Sequence, residues 1–242
     1  MTNLFRFKKF DLIQEKSALK VGTDAVILGA WTDADNATNV LDIGTGTGVI
    51  ALMIAQKNEN CHIDAIDIDE DSAIEAQLNF KNSRFSHRLK AYHSSVQSFC
   101  KDETHNYDLI VSNPPFFNKS LLSEMQRKDN ARHTLMLTHE ELLICVKQLL
   151  AKEGKFCVVL PPLEGMQMIE IGATLGLYCS KETQILSAYN KPVVRLLLQF
   201  EKKVKPVLKN SIILYEKADT HMRKRTKAYT DLTSDFYLDE FN

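Results

Sequence analysis

Three glycines at alternate positions, Gly44, Gly46 and Gly48, separate the apolar run Val40-Leu41-Asp42-Ile43 from a helical pattern over Val49 to Lys57. A buried strand that turns through glycine into a helix is one β/α unit, and such a turn lets the backbone approach a ligand closely. The alternation continues along the chain. Strands are expected near 39–43, 62–67, 88–92, 107–112, 155–160, 178–186 and 193–200, and helices near 48–57, 70–82, 138–151 and 164–175. Such regular alternation specifies an α/β fold, with a mostly parallel sheet and helices on both faces.

Local signals sharpen the element ends. Thr23 is expected to cap a helix reaching Trp31, with Asp24 in its first turn. Asp69 is placed to cap the helix from Glu70, and Thr138 with Glu141 has capping-box spacing. Gly154 is expected to break the helix before the next strand. Asn190-Lys191-Pro192 is a turn signal between two apolar runs, so the last two strands form an antiparallel pair.

Two further features point to chemistry. The dinucleotide fingerprint is G-x-G-x-x-G. Here the spacing is G-x-G-x-G with Asp42 two residues before it, which fits an S-adenosylmethionine turn better. The strand His62-Ile63-Asp64-Ala65-Ile66-Asp67 ends in a carboxylate about 20 residues after the glycines, where an acid bonds ribose hydroxyls. The run Tyr107 to Ser112 then stops at Asn113-Pro114-Pro115-Phe116. Two prolines cannot continue a strand, so the break falls at the carboxyl edge of the sheet, where open α/β sheets bind ligands. The Asn113 side-chain oxygen and the Pro114 carbonyl can face one amino group, and Phe116 offers a flat face to a planar ring. Each feature has a plainer reading: a tight turn for Asn-Pro-Pro, a turn acid for Asp67, core packing for Phe116. Their ordered combination points to reaction at an exocyclic amine.

This set resembles the class I S-adenosylmethionine-dependent methyltransferases of the amino-methylating N-P-P-[FY] group. The segment Lys20-Val21-Gly22-Thr23-Asp24-Ala25, the triplet Ala131-Arg132-His133 and the tail Asp235-Phe236-Tyr237-Leu238 are similar to those of the bacterial tRNA1(Val) adenine-N6 methyltransferases. The resemblance covers nearly the whole chain. It implies a Rossmann-like seven-stranded sheet with an antiparallel last strand, and a single domain over 1–242. Within it, 1–35 form an amino-terminal segment, 36–203 the catalytic core and 204–242 a basic extension. It implies S-adenosylmethionine contacts from Lys20, Thr23, Asp24, Asp42, Gly44, Gly46, Gly48, Asp67, Ile68, Ser95 and Asn113. Asn113, Pro114 and Phe116 would hold the acceptor base, and Arg132 and His133 would meet RNA, although a surface role suits these two as well. One departure stands out. The family carries an acid after the third strand, and Ser95 stands in its place here.

Composition bounds the partners. The 242 residues are 44% hydrophobic and 25% charged, as in an ordinary globular protein. No apolar stretch is long enough to span a membrane, and residues 1–10 lack a signal-peptide core. The five cysteines show no C-x-x-C pairing, so neither zinc nor disulfides are expected and a reducing cytoplasm is the simplest setting. No metal is called for, and a monomer is favoured. The net charge is −1, but residues 191–230 carry 11 basic and 3 acidic side chains. Arg223, Lys224, Arg225 and Lys227 are therefore expected on tRNA phosphates, against the alternative that they cap or pair with the acidic carboxyl end. The polar insertion 117–133 suggests a lid or binding loop. The N-P-P-F motif also serves glutamine-amide and guanine-N2 methylation, and a vestigial RNA-binding module is the non-enzymatic rival.

Overall fold

The computed structural model describes residues 4–17, 20–103, 106–115, 137–217 and 224–238. A short antiparallel pair, β1 (Leu4–Arg6) and β2 (Asp11–Ile13), comes first. Then follow α1 (Thr23–Trp31), β3 (Asn39–Ile43), α2 (Val49–Lys57), β4 (His62–Asp67), α3 (Glu70–Asn82), β5 (Leu89–His93) and α4 (Val96–Asp102). The chain continues through β6 (Tyr107–Ser112), α5 (His139–Leu149), β7 (Leu150–Leu160) and α6 (Pro162–Leu175). It ends with β8 (Tyr178–Ala188), β9 (Val193–Glu201), β10 (Leu208–Tyr215) and α7 (Lys227–Thr233).

The main sheet runs β10-β8-β9-β7-β6-β3-β4-β5, with β9 antiparallel to both neighbours and the other pairs parallel. From β3 the chain builds outward to β5, then returns to add β6 on the other side. The reversal opens a crevice between the carboxyl ends of β3 and β6. Strand residues alternate between two cores. Val40, Leu109, Val111 and Val159 face one, with residues of α1, α2, α3 and α7. Leu41, Ile110, Val158 and Leu160 face the other, with residues of α4, α5 and α6. Apolar residues on both faces explain why these strands read as continuous hydrophobic runs.

The sheet has eight strands, not the seven expected. The additional β10 lies in the segment expected as a basic extension and pairs in parallel with β8 from Leu208↔Lys181 to Tyr215↔Ala188. As an edge strand its outer residues Leu208 to Ser211 are exposed, which hid the strand pattern. Two other expectations are corrected. Gly22, not Thr23, is the N-cap residue of α1, and it makes no side-chain cap bond. Gly154 does not end α5, which stops at Leu149; it lies in a bulge where β7 shifts register against β6. A Cβ there would come 2.9 Å from the Tyr107 carbonyl oxygen, so the close approach needs glycine. The caps at Asp69 and the Thr138–Glu141 box form as the spacing predicts. Residues 4–13 dock the carboxyl tail. Lys8 donates its backbone N–H to Phe236, and Phe7 stacks on the buried Tyr237 at 6.0 Å.

Candidate cofactor and acceptor site

Gly44, Gly46 and Gly48 all have positive φ, at 72°, 55° and 84°. Gly48 is also sterically fixed, since a Cβ would meet Phe80 Cε1 at 2.5 Å. At Gly44 a Cβ would meet nothing within 4 Å, so this backbone borders open space. That is the cradle a nucleoside needs. The Gly44 and Thr45 amides donate to the Ile66 carbonyl at 2.9 and 3.0 Å, tying the turn to β4. Asp42 is fully buried below it and accepts from the Thr45 hydroxyl at 2.7 Å. Burial pushes its carboxyl up to about 7, and the nearby Asp67 charge adds to the shift.

Asp67 stands at the end of β4, beside the turn. One carboxylate oxygen accepts the Gly46 amide at 2.8 Å, and the other accepts the Asp69 amide at 2.9 Å. Burial raises its pKa, against these two hydrogen bonds. Ile68 is 48% exposed and its carbonyl accepts from His93 Nε2 at 3.1 Å. Ser95 caps α4, its hydroxyl oxygen accepting the Ser98 amide at 3.1 Å. The side chain standing in the acid's place is thus engaged in holding a helix end.

The amino-terminal segment is held to the turn by α3. Glu75, 2% exposed, accepts the amides of Glu15 and Lys16 at 2.6 Å and that of Ser17 at 3.0 Å. Asn79 exchanges bonds with the N–H and C=O of Ile13, and also donates to the Thr47 carbonyl at 2.9 Å. Ser17 sits so close that a Cβ on Gly46 would be 3.6 Å from its hydroxyl. Neither Glu75 nor Asn79 was singled out from the sequence. Their signal was present: polar residues at i and i+4 on the helix face that also carries Ala76 and Phe80. Lys20, expected on the cofactor, donates to the carbonyls of Gln14 at 2.5 Å and Ser17 at 3.3 Å. Asp24 pairs with Arg195 of β9 at 2.8 Å.

On the other side of the crevice, the Ser112 hydroxyl donates to the Ile43 carbonyl at 2.9 Å. This bond places Asn113, half-buried, beside the start of the glycine turn. Pro114 is buried and Pro115 exposed. Phe116, Arg132, His133, Arg223 and the insertion 117–133 lie outside the described residues.

Five of the lysines late in the chain form ion pairs. Lys203 pairs with Glu153, Lys205 with Glu201, Lys209 with Glu182, Lys224 with Glu216 and Lys227 with Asp231. The Arg225 guanidinium lies over Tyr237 at 4.3 Å and Tyr229 at 5.2 Å, in a bridge that joins the tail to β10. The acidic partners come from several elements, and Asp231 on Lys227 is of the kind the alternative reading expected. Among the described residues no metal-ligand cluster occurs and no helix is long and apolar enough to cross a membrane.

A glycine turn, a strand-end acid and an Asn-Pro-Pro break around one switch point define a Rossmann-like methyltransferase. Residues 17–176 match the methyltransferase small domain family. A solved structure from Agrobacterium tumefaciens, described as a predicted O-methyltransferase, shares the fold at a TM-score of 0.69 with 16% identity, covering 88% of this chain and 96% of that one. A methyltransferase from Pyrococcus furiosus aligns at 0.54 with 22% identity, over 80% and 90%. More specifically, the chain belongs to the tRNA1(Val) (adenine(37)-N6)-methyltransferase family. It is 40% identical over 238 residues to the member from Trichodesmium erythraeum, covering 98% of both chains. It is 41% identical over 239 residues to that from Proteus mirabilis, covering 97% of this chain and 93% of the relative.

Proposed function

We propose that this protein methylates the exocyclic N6 amine of an adenine in tRNA, adenosine 37 of tRNA1(Val), using S-adenosylmethionine. The observation that carries the reading is the position of Asn113 at the carboxyl end of β6, across the switch point from the glycine turn. The relatives named for that reaction, at about 40% identity over nearly their full length, support the acceptor.

S-adenosylmethionine supplies a methyl group already activated on a sulfonium. The open backbone at Gly44 and the carboxylate of Asp67 suit its nucleoside. What remains for the protein is alignment and exclusion of water. An aromatic amine is a poor nucleophile because its lone pair is delocalised into the ring. The Asn113 side-chain oxygen and the Pro114 carbonyl accept its two N–H bonds and turn the lone pair out of the ring plane. The same acceptors stabilise the positive charge that develops on nitrogen. Phe116 stacks on the adenine, which must leave the helical stack to enter. The surplus proton leaves to solvent, so no general base is needed. Lys224 and Lys227, both exposed, remain available to phosphate by exchanging their surface partners, while Arg225 holds the tail. Such a substrate places the work in the cytoplasm.

A release-factor glutamine amide or a ribosomal guanine amine would fit the same acceptors. Mass spectrometry of tRNA nucleosides from cells with and without the protein separates them. Loss of N6-methyladenosine from tRNA is the expected result; an unchanged level would refute the reading.

A further inference from the structure

The β8–β9 hairpin stands out at the catalytic edge of the sheet. The catalytic strand β6 ends at Ser112, level with Val158 of β7, which is level with Leu198 of β9. From there β9 stays paired with β8 out to Val193. That is five residues further, or roughly 16 Å at about 3.3 Å per residue. A register shift between Ile185 and Leu186, where Arg195 and then Val193 are paired, bulges and bends the hairpin as it leaves the sheet. Its tip is Tyr189-Asn190-Lys191-Pro192, closed by the Lys191 amide donating to Ala188, with Asn190 at φ 59°.

The tip sets an aromatic ring beside a cation. Tyr189 is 57% exposed, a large ring with no packing role to explain it. Lys191 is exposed and, like Lys202 and Lys217, has no ion pair among the described residues, whereas the lysines at 203, 205, 209, 224 and 227 each have one. The base of the hairpin is anchored: Arg195 pairs with Asp24, and the Trp31 indole donates to Thr183 at 3.0 Å. The wall is therefore fixed below and presents an aromatic face beside an exposed cation above.

We infer that this tip is an RNA-docking element, with Tyr189 stacking an unpaired base next to the target adenosine and Lys191 taking the adjoining phosphate. The inference rests on the tRNA reading and adds a second contact outside the methyl-transfer pocket. An aromatic with a neighbouring cation is the pairing that binds single-stranded nucleic acid, since every base has a stacking face and every linkage a charge. Only a nucleotide displaced from helical stacking fits this arrangement, which matches a loop substrate.

The test uses the full-length protein with unmodified anticodon stem-loop RNA in steady-state methylation. Tyr189→Ala should raise the KM for RNA about 5- to 150-fold, the range expected for one lost base stack. Tyr189→Phe should restore it, because the ring is what binds. Lys191→Ala should lower the slope of log affinity against log salt by about one. Cofactor affinity and melting temperature should stay at wild-type values in all three, since both side chains are exposed. An RNA KM unchanged in the Tyr189→Ala, Lys191→Ala double variant overturns the inference while leaving the tRNA reading intact. A wild-type protein that binds S-adenosylmethionine but methylates no RNA overturns both.

Discussion

Asp67 accepts the backbone N–H of Gly46 at 2.8 Å, so the acid at the end of β4 and the middle glycine of the turn form one unit. Replacing Asp67 with Ala should weaken S-adenosylmethionine by about 1–3 kcal/mol, since a charged acceptor is lost and the turn is released. The rate at saturating cofactor should fall much less. Calorimetry beside steady-state kinetics measures both, and unchanged affinity would place the ribose contact elsewhere.

Glu75 should matter to the cofactor without touching it. Its carboxylate accepts three backbone amides, those of Glu15, Lys16 and the buried Ser17, next to Gly46. Glu75→Ala removes these three bonds and should cost about 1–3 kcal/mol of stability. It should also loosen cofactor binding, because the segment would no longer lie against the turn. Urea unfolding with and without S-adenosylmethionine is the check. A variant with full stability and full affinity would contradict the role.

How much of this was legible in the sequence depends on range. The glycine turn, the Asp69 cap and the Thr138–Glu141 box are set by residues a few positions apart, so the spacing alone predicts them. The Glu75 clasp joins residues 58 to 60 positions apart, and nothing local marks its partners. β10 was missed for a similar reason: its identity comes from pairing with β8, while its own first half is exposed and polar. A charge sum is also blind to acids brought in from elsewhere, such as Glu153 and Glu182, which pair with Lys203 and Lys209. Asn113 follows β6 and the glycine turn follows β3, and the order of motifs puts them close because these two strands are neighbours at a switch point of the sheet.

Asp42 should make stability fall with rising pH. Its folded value of about 7 lies above the ordinary 3.8, so the folded state binds the proton more tightly. The stability it contributes is complete below about pH 4 and lost as the pH rises through about 7. Asp42→Asn keeps an oxygen for Thr45 and carries no charge. The difference in unfolding free energy, wild type minus variant, should therefore decline across that window by up to about 1.4 kcal/mol per pH unit. A pH-independent difference would show that Asp42 is not protonated on folding.

Arg225 should act on the fold and not on RNA. Its guanidinium is stacked on Tyr237 and Tyr229, contacts typically worth about 0.5–2 kcal/mol each. Arg225→Ala should lower the melting temperature and leave the salt dependence of tRNA binding unchanged. Lys224→Ala with Lys227→Ala should do the reverse. Thermal melts and binding titrations at several salt concentrations on both proteins decide it, and a flattened salt slope in Arg225→Ala would return that residue to the RNA surface.

The most direct test is a single-turnover assay of the wild type and Asn113→Ala on unmodified tRNA1(Val), with N6-methyladenosine quantified by mass spectrometry and cofactor affinity measured in parallel. Loss of one preorganised acceptor at the reacting amine should cut the methyl-transfer rate by about 10²–10³, while S-adenosylmethionine binds nearly as before. Wild-type transfer to position 37 with that selective loss is the predicted result. A variant that methylates at the wild-type rate, or a wild type that forms no N6-methyladenosine, would contradict the account.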